Sequence, residues 1–107
     1  MSRDWRLYLD ELLAAAEKIG RFVDGQGAES LHADEARFDA VLFNILVVGE
    51  AAKRLADAGV GADMDWSAPA RMRDLVAHHY FAVDPDLVWE VATVHVPELL
   101  SKARMLR

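Results

Sequence analysis

Residues 38–55, FDAVLFNILVVGEAAKRL, decide how this chain folds. Phe38, Val41, Leu42, Ile45, Leu46, Gly49, Ala52 and Leu55 recur every three to four residues, the period of a helix. From Val41 to Val48 every residue except Asn44 is apolar, which is wider than one buried stripe needs. That width predicts contact on two sides, with the domain's own core on one and a partner chain on the other. Gly49 costs a helix interior ~1 kcal/mol relative to alanine. Its presence therefore predicts the close approach of a neighbouring helix.

The pattern stays helical in both directions. Trp5, Tyr8, Leu9, Leu12, Leu13, Ala16, Ile19 and Val23 form a first stripe, and Asp24-Gly25-Gln26-Gly27 ends it with a glycine suited to a left-handed cap. The long helix begins between Ser30 and Asp34, either of which can cap it, and stops at Gly59-Val60-Gly61. Asp65-Trp66-Ser67-Ala68-Pro69 is an entry signal, with Ser67 as cap and Pro69 in the first turn. The helix that follows is expected to carry Arg73 through Tyr80 and to stop before Asp84-Pro85, since the residue before proline avoids helical angles. Asp84 then caps a last helix that buries Leu87, Val88, Val91, Val94, His95, Leu99 and Leu106, with a kink at Pro97. No strand alternation or internal repeat interrupts this pattern. It predicts an all-α, four-to-five-helix up-and-down bundle, one domain over residues 1–107, that pairs with a second copy of itself.

Composition removes several function classes. The chain has no cysteine, which excludes disulfides, thiolate zinc sites and cysteine nucleophiles, and fits a cytoplasmic address. The opening Arg3-Asp4-Trp5-Arg6 lacks the apolar core of a signal peptide, and no run approaches the ~18 apolar residues of a membrane span. A net charge of −6 argues against broad, sequence-independent nucleic-acid binding, while leaving room for a local basic cleft. Half of the 12 basic residues fall in two clusters, Lys53/Arg54 with Arg71/Arg73, and Lys102/Arg104. Taken alone, such clusters read as solvated helix surface.

Chemistry concentrates in Arg73-Asp74-Leu75-Val76-Ala77-His78-His79-Tyr80. On an ideal helix Arg73 and Tyr80 share a face, Asp74 and His78 can touch, and His78 lies roughly 140° from Arg73. A straight helix therefore cannot bring Arg73 and His78 onto one small group. Either the helix loosens near His78, or the site is assembled from two copies across a two-fold axis. Arginine suits a phosphate and the charge that develops on its oxygens, and histidine can take or return the proton of a ribose hydroxyl. Spacing alone leaves a plainer reading open, with Arg73 salt-bridged to Asp74 or Glu50 and His78 buried by hydrogen bonds. Metal binding is not expected. His78 and His79 point about 100° apart, His95 sits in an apolar stripe as a core residue, and His32 has no fellow ligand. Trp5, Trp66 and Trp89 belong to helix ends and cores rather than to base stacking.

At this stretch the chain resembles the HepT-like toxins of the HEPN superfamily. The likeness also covers Asp39-Ala40-Val41, Gly49-Glu50-Ala51-Ala52-Lys53-Arg54-Leu55, Trp66, Met72 through Asp84, Leu87-Val88-Trp89-Glu90 and Val96-Pro97-Glu98-Leu99-Leu100. It implies a helical homodimer whose two R-x-x-x-x-H motifs meet in a cleft and cleave RNA without metal or other cofactor. Arg73 and His78 match the family's catalytic pair, Asp74 takes the polar position after the arginine, and Glu50 and His79 are supporting residues. Tyr80 matches the tyrosine to which a nucleotidyltransferase antitoxin transfers AMP. An anion on Tyr80, sharing a face with Arg73, would then fill the phosphate site and repel RNA. The implied partners are a second copy, that antitoxin and RNA, but neither DNA nor membrane. A different class stays open beside it: a non-catalytic helical dimer serving as a binding or regulatory subunit of a nucleotidyltransferase.

Overall fold

A computed structural model describes residues 4–107, so Arg3 of the polar opening lies outside the described residues. The elements are α1 (Trp5–Val23), α2 (Ala28–Ala33), α3 (Glu35–Asp57) and α4 (Ser67–His78), followed by a 3₁₀ turn at Tyr80–Ala82. After it come α5 (Pro85–Glu90), a π-helical turn at Val91–His95 and α6 (Val96–Arg104). All the regular structure among the described residues is helical. None of these helices is long and apolar enough to cross a membrane.

Local signals explain most boundaries. Asp4 accepts from the Arg6 amide to start α1, and Gly25 (φ 73°) turns the chain out after it. Asp34 caps α3 through the Arg37 amide at 3.1 Å, while Arg37 Nη1 reaches the Phe22 carbonyl at 3.0 Å. That pair pins the start of α3 to the end of α1, so the two helices run antiparallel. Ser30 is not the cap of α3: it belongs to α2, where its hydroxyl accepts from the Gly27 amide. Ser67 does not cap α4 either. It is the first helical residue, and Asp65 accepts from its amide at 3.1 Å and from its hydroxyl. The carboxylate two residues upstream outcompetes a hydroxyl that would have to turn back on its own helix.

α3 lies between α1 and α4, and α6 packs on α1. The core runs along the α1–α3 face, where Leu9, Leu12, Ile19, Val41 and Leu55 are at most 1% exposed. Each such side chain contributes about 1.5–3 kcal/mol through burial. Asn44, the one polar residue of the apolar run, is buried but donates to the Ala40 carbonyl at 2.8 Å. Trp66 is a structural anchor, buried and donating to the Val60 carbonyl at 2.7 Å. α4 is held differently, since only Val76 of its residues is buried.

Gly49 is where α4 comes closest to α3. A Cβ built there would lie 2.7 Å from the Pro69 carbonyl oxygen and 2.9 Å from Arg73 Cγ, and nearer still to Arg73 Cβ. The glycine is therefore the reason Arg73 can sit against α3 at all.

Two expectations for the C-terminal half are corrected. α4 stops at His78 instead of continuing through Tyr80, because Asp84 must be extended (φ −68°, ψ 117°) to cap α5 through the Asp86 amide. The chain fits that reversal by leaving the α-helix at His79 (φ −131°, ψ 35°) and tightening into a 3₁₀ turn. Pro97 brings a widened π turn ahead of it, which eases the clash of its ring with the carbonyl four residues back. The extra residue per turn rotates the register. Val94 is 46% exposed and His95 is at the surface, 3.9 Å from Glu90, and neither is in the core.

Candidate active site

The outer face of α3 carries Asp39, Phe43, Val47, Glu50 and Arg54 at spacings of three and four, one continuous stripe along the helix. α4 and the turn after it lie along this stripe in the opposite direction. Arg73 meets Glu50 at one end, and Tyr80 meets Asp39 at the other.

Arg73 is about one-third exposed and stands between two carboxylates. Its Nη1 donates to Asp74 at 2.8 Å, and its Nε lies 3.6 Å from Glu50. Glu50 also holds Arg54 at 3.2 Å. The Arg73 hydrogen bond holds the Asp74 carboxyl below the usual carboxylate range, with smaller help from Lys53 and His78. Asp74 is thus spent on its neighbour and is not hydrogen-bonded to His78, so the expected tautomer-setting pair does not form. Lys53, Arg54 and Arg73 are matched by Glu50, Asp74 and, lining the groove beside them, Glu11, so the cluster is neutral within a chain whose balance is −6. That groove, of about 520 Å³, is lined by Tyr8, Glu11, Val47, Glu50, Arg54 and Arg73 among others.

His78 is the last residue of α4, exposed, and its side chain makes no hydrogen bond among the described residues. The plainer reading of the motif therefore holds for half of it. Arg73 is salt-bridged to both candidate carboxylates, but His78 is not a buried, satisfied histidine. Over five residues His78 sits about 7.5 Å further along the axis than Arg73 and turned from it. One chain therefore presents the two groups apart. His79 ends the helix, its amide bonding to Leu75 and its carbonyl accepting from Ala82.

Tyr80 lies past the end of α4, in the 3₁₀ turn, and reaches the same α3 stripe as Arg73 but at its other end. Its hydroxyl donates to Asp39 at 2.8 Å, a contact 41 residues away in sequence. Asp39 and then Glu35 oppose ionisation and raise the Tyr80 phenol above its ordinary value. Glu50, which anchors Arg73, is eleven residues beyond Asp39, about 16 Å along α3. Within one chain, a group attached to Tyr80 starts at the far end of α3 from that anchor. Phe81, wholly exposed, stands edge-on to the Tyr80 ring at 5.3 Å. Asp39 was not legible as a site residue, because only the tertiary packing of the turn after α4 against α3 gives it its partner; Arg54 pairs with Glu50 four residues back on its own helix, a spacing the sequence does show.

Among the described residues no three His, Cys, Asp or Glu side chains converge to hold a metal ion. His32 instead packs edge-on against Phe38 at 5.1 Å.

Comparison with known proteins points the same way as the motif. No solved structure matches the chain. A protein of Thermococcus cleftensis described as "Probable ribonuclease HepT" is 30% identical, over 100% of this chain and 99% of its own length. A protein of Methanocaldococcus jannaschii described as a "Putative RNase" is 28% identical, over 89% of this chain and 80% of its own. Residues 12–106 match the family described as "Ribonuclease HepT-like". With that match spanning every element of the bundle, the chain belongs to the HepT-like ribonuclease family.

Proposed function

We propose that this chain is the toxin of a toxin–antitoxin pair, a metal-independent endoribonuclease that works as a homodimer and is silenced by AMP transfer to Tyr80. The observation that carries the reading is the contrast between the motif's two ends. Arg73 is pre-set by Glu50 and Asp74 at the edge of a groove, while His78 is exposed and uncommitted. Family membership supplies the reaction class.

The chemistry follows from these groups. His78 takes the proton of a ribose 2′-hydroxyl as that oxygen attacks the adjoining phosphorus. The bond to the 5′-oxygen breaks as that oxygen takes up a proton, returned by His78 directly or through water, leaving a cyclic phosphate and a free 5′-hydroxyl. Arg73 pairs with the non-bridging oxygens as their charge grows. RNA must displace part of the Glu50 and Asp74 contact to reach Arg73, which suits a chain with little general affinity for polyanions. Since His78 and Arg73 stand apart on one chain, a second copy supplies the complementary half across a two-fold axis. The exposed Phe43, between the two ends of the α3 stripe, is the natural centre of that contact.

Purified protein incubated with mixed RNA tests the reading. Cleavage should survive a chelator and be lost in Arg73→Ala and in His78→Ala, with both variants folded. If the two variants cleave as well as the parent, these residues are not the catalytic pair. AMP on Tyr80, with no cleavage by the unmodified protein, would favour a regulatory subunit of a nucleotidyltransferase.

A further inference from the structure

The His78 side chain is exposed and makes no hydrogen bond among the described residues, with Asp74 acting on it only through charge, so its placement depends on the backbone that carries it. That backbone is the junction between α4 and the turn at residues 79–84. The turn has few attachments. Phe81 and Ala82 are exposed, Val83 packs against the core, and Tyr80 reaches back to Asp39 on α3. The Tyr80–Asp39 bond is a long-range tie across the site, two residues from His78.

We infer that Asp39 is a positioning residue for His78, and that a group esterified to Tyr80 inactivates the enzyme by breaking the Tyr80–Asp39 tie. The inference rests on the ribonuclease reading above and gives it a mode of regulation. It also replaces the expectation that the attached anion simply fills the Arg73 site, since Tyr80 is anchored at the other end of α3.

The chemistry of the tie makes it a switch. The phenol donates and the carboxylate accepts, so the bond exists only while the phenolic hydrogen does. Transfer of AMP from a nucleoside triphosphate joins Tyr80 Oη to the α-phosphorus, releases pyrophosphate and gives up that hydrogen. Asp39 Oδ1, 2.8 Å away, is the nearest acceptor for it. The ester oxygen left behind can no longer donate. The phosphodiester also brings a negative charge beside Asp39, with Glu35 the next carboxylate facing the same phenol. One bond is lost and a repulsion replaces it, so the turn swings off α3 and takes the end of α4 with it.

The test compares Asp39→Ala, Asp39→Asn and Tyr80→Phe in the full chain. Each is followed by steady-state RNA cleavage and by hydrogen exchange of the amides from His79 to Asp84. Asparagine keeps an acceptor oxygen without the charge. Asp39→Ala and Tyr80→Phe should each lower kcat about five- to tenfold, the scale of one exposed charge-assisted bond. KM should change little, because Arg73 is untouched. Exchange at residues 79–84 should quicken in both, whereas Asp39→Asn should keep most of the parental kcat and protection. Parental kcat with unchanged exchange in Asp39→Ala and Tyr80→Phe overturns the inference, as does an Asp39→Asn protein as impaired as Asp39→Ala. Should the parent not cleave RNA at all, the functional reading falls, and the exchange data still decide whether Asp39 holds the turn.

Discussion

Replacing Gly49 with alanine sets two effects of opposite sign against each other. Alanine in a helix interior gains ~1 kcal/mol over glycine. The added methyl would sit 2.7 Å from the Pro69 carbonyl oxygen, inside Arg73 Cγ at 2.9 Å and closer again to Arg73 Cβ. None of these is the free end of a long side chain, so no rotamer change relieves the clash. Bringing the carbonyl out to an ordinary separation of about 3.5 Å moves α4 by about 0.8 Å, and Arg73 Cβ asks for more. Overpacking of this kind costs typically 1–3 kcal/mol, and contacts to backbone put it at the top of that range. The net loss is about 2 kcal/mol, roughly a 10 °C fall in Tm for a domain of this size. Thermal unfolding by circular dichroism reads it, with Gly20→Ala as the control. Gly20 lies in α1 with nothing within 4 Å of an added Cβ, so there alanine should stabilise by ~0.5–1 kcal/mol. RNA cleavage should fall in Gly49→Ala alone, since Arg73 moves off Glu50. A Gly49→Ala protein as stable and as active as the parent would refute the close approach and the placement of Arg73 that depends on it.

Two further outcomes follow from the carboxylates. Asp34 is held below the usual carboxylate range, first by the Arg37 amide and then by the Arg37 side chain. A lowered folded value means the contribution is present above the unfolded value and is lost as pH falls through the folded one. The Tm gap between the parent and Asp34→Ala should therefore stay constant at neutral pH and close below about pH 4; a gap that widens in acid contradicts the cap. Glu50→Gln removes a charge that competes with phosphate for Arg73 and Arg54, and should lower KM for RNA about threefold, on the scale of an exposed pair. A raised KM in steady-state kinetics would mean that Glu50 serves RNA binding by holding the arginines in place.

The parts of the fold legible in sequence are those set by local chemistry. The stripe from Trp5 to Val23 gives α1 end to end, and Asp34, Gly49 and Asp84 act as their residue types require. The misreadings share a cause. Ser67 became the first helical residue, bonded to Asp65, α4 ended at His78, and His95 turned outward, because neighbouring residues and elements compete for the same few groups. A helical wheel assumes that the helix continues. Once α4 stops, the spacing of Tyr80 from Arg73 is no longer that of a helix, and its partner lies 41 residues back, where no spacing rule reaches. The motif itself was visible, but the division of its residues between two ends of α3 was not.

That division makes the number of chains per active site an experimental question with a sharp answer. If Arg73 of one copy works with His78 of the other, an Arg73→Ala chain and a His78→Ala chain are each dead alone but complementary together. A dimer of one Arg73→Ala and one His78→Ala chain has one composite site with both groups intact and one with neither. Random mixing makes half the dimers of this kind, each with one of two sites working, so cleavage should return to about a quarter of the parental rate. Chains refolded together and purified through two different tags isolate the heterodimer, where the figure should rise to about half. If each chain instead used its own Arg73 with its own His78, every site in every mixture would lack one group. A purified heterodimer with no activity would then refute the shared site, and a parent that cleaves as a monomer by light scattering would refute it too. The exposed Phe43 supplies the counterpart. A charge placed there by Phe43→Glu meets its own copy across the axis if the α3 stripes face each other, and should abolish both dimer and cleavage while the monomer keeps its helical signal.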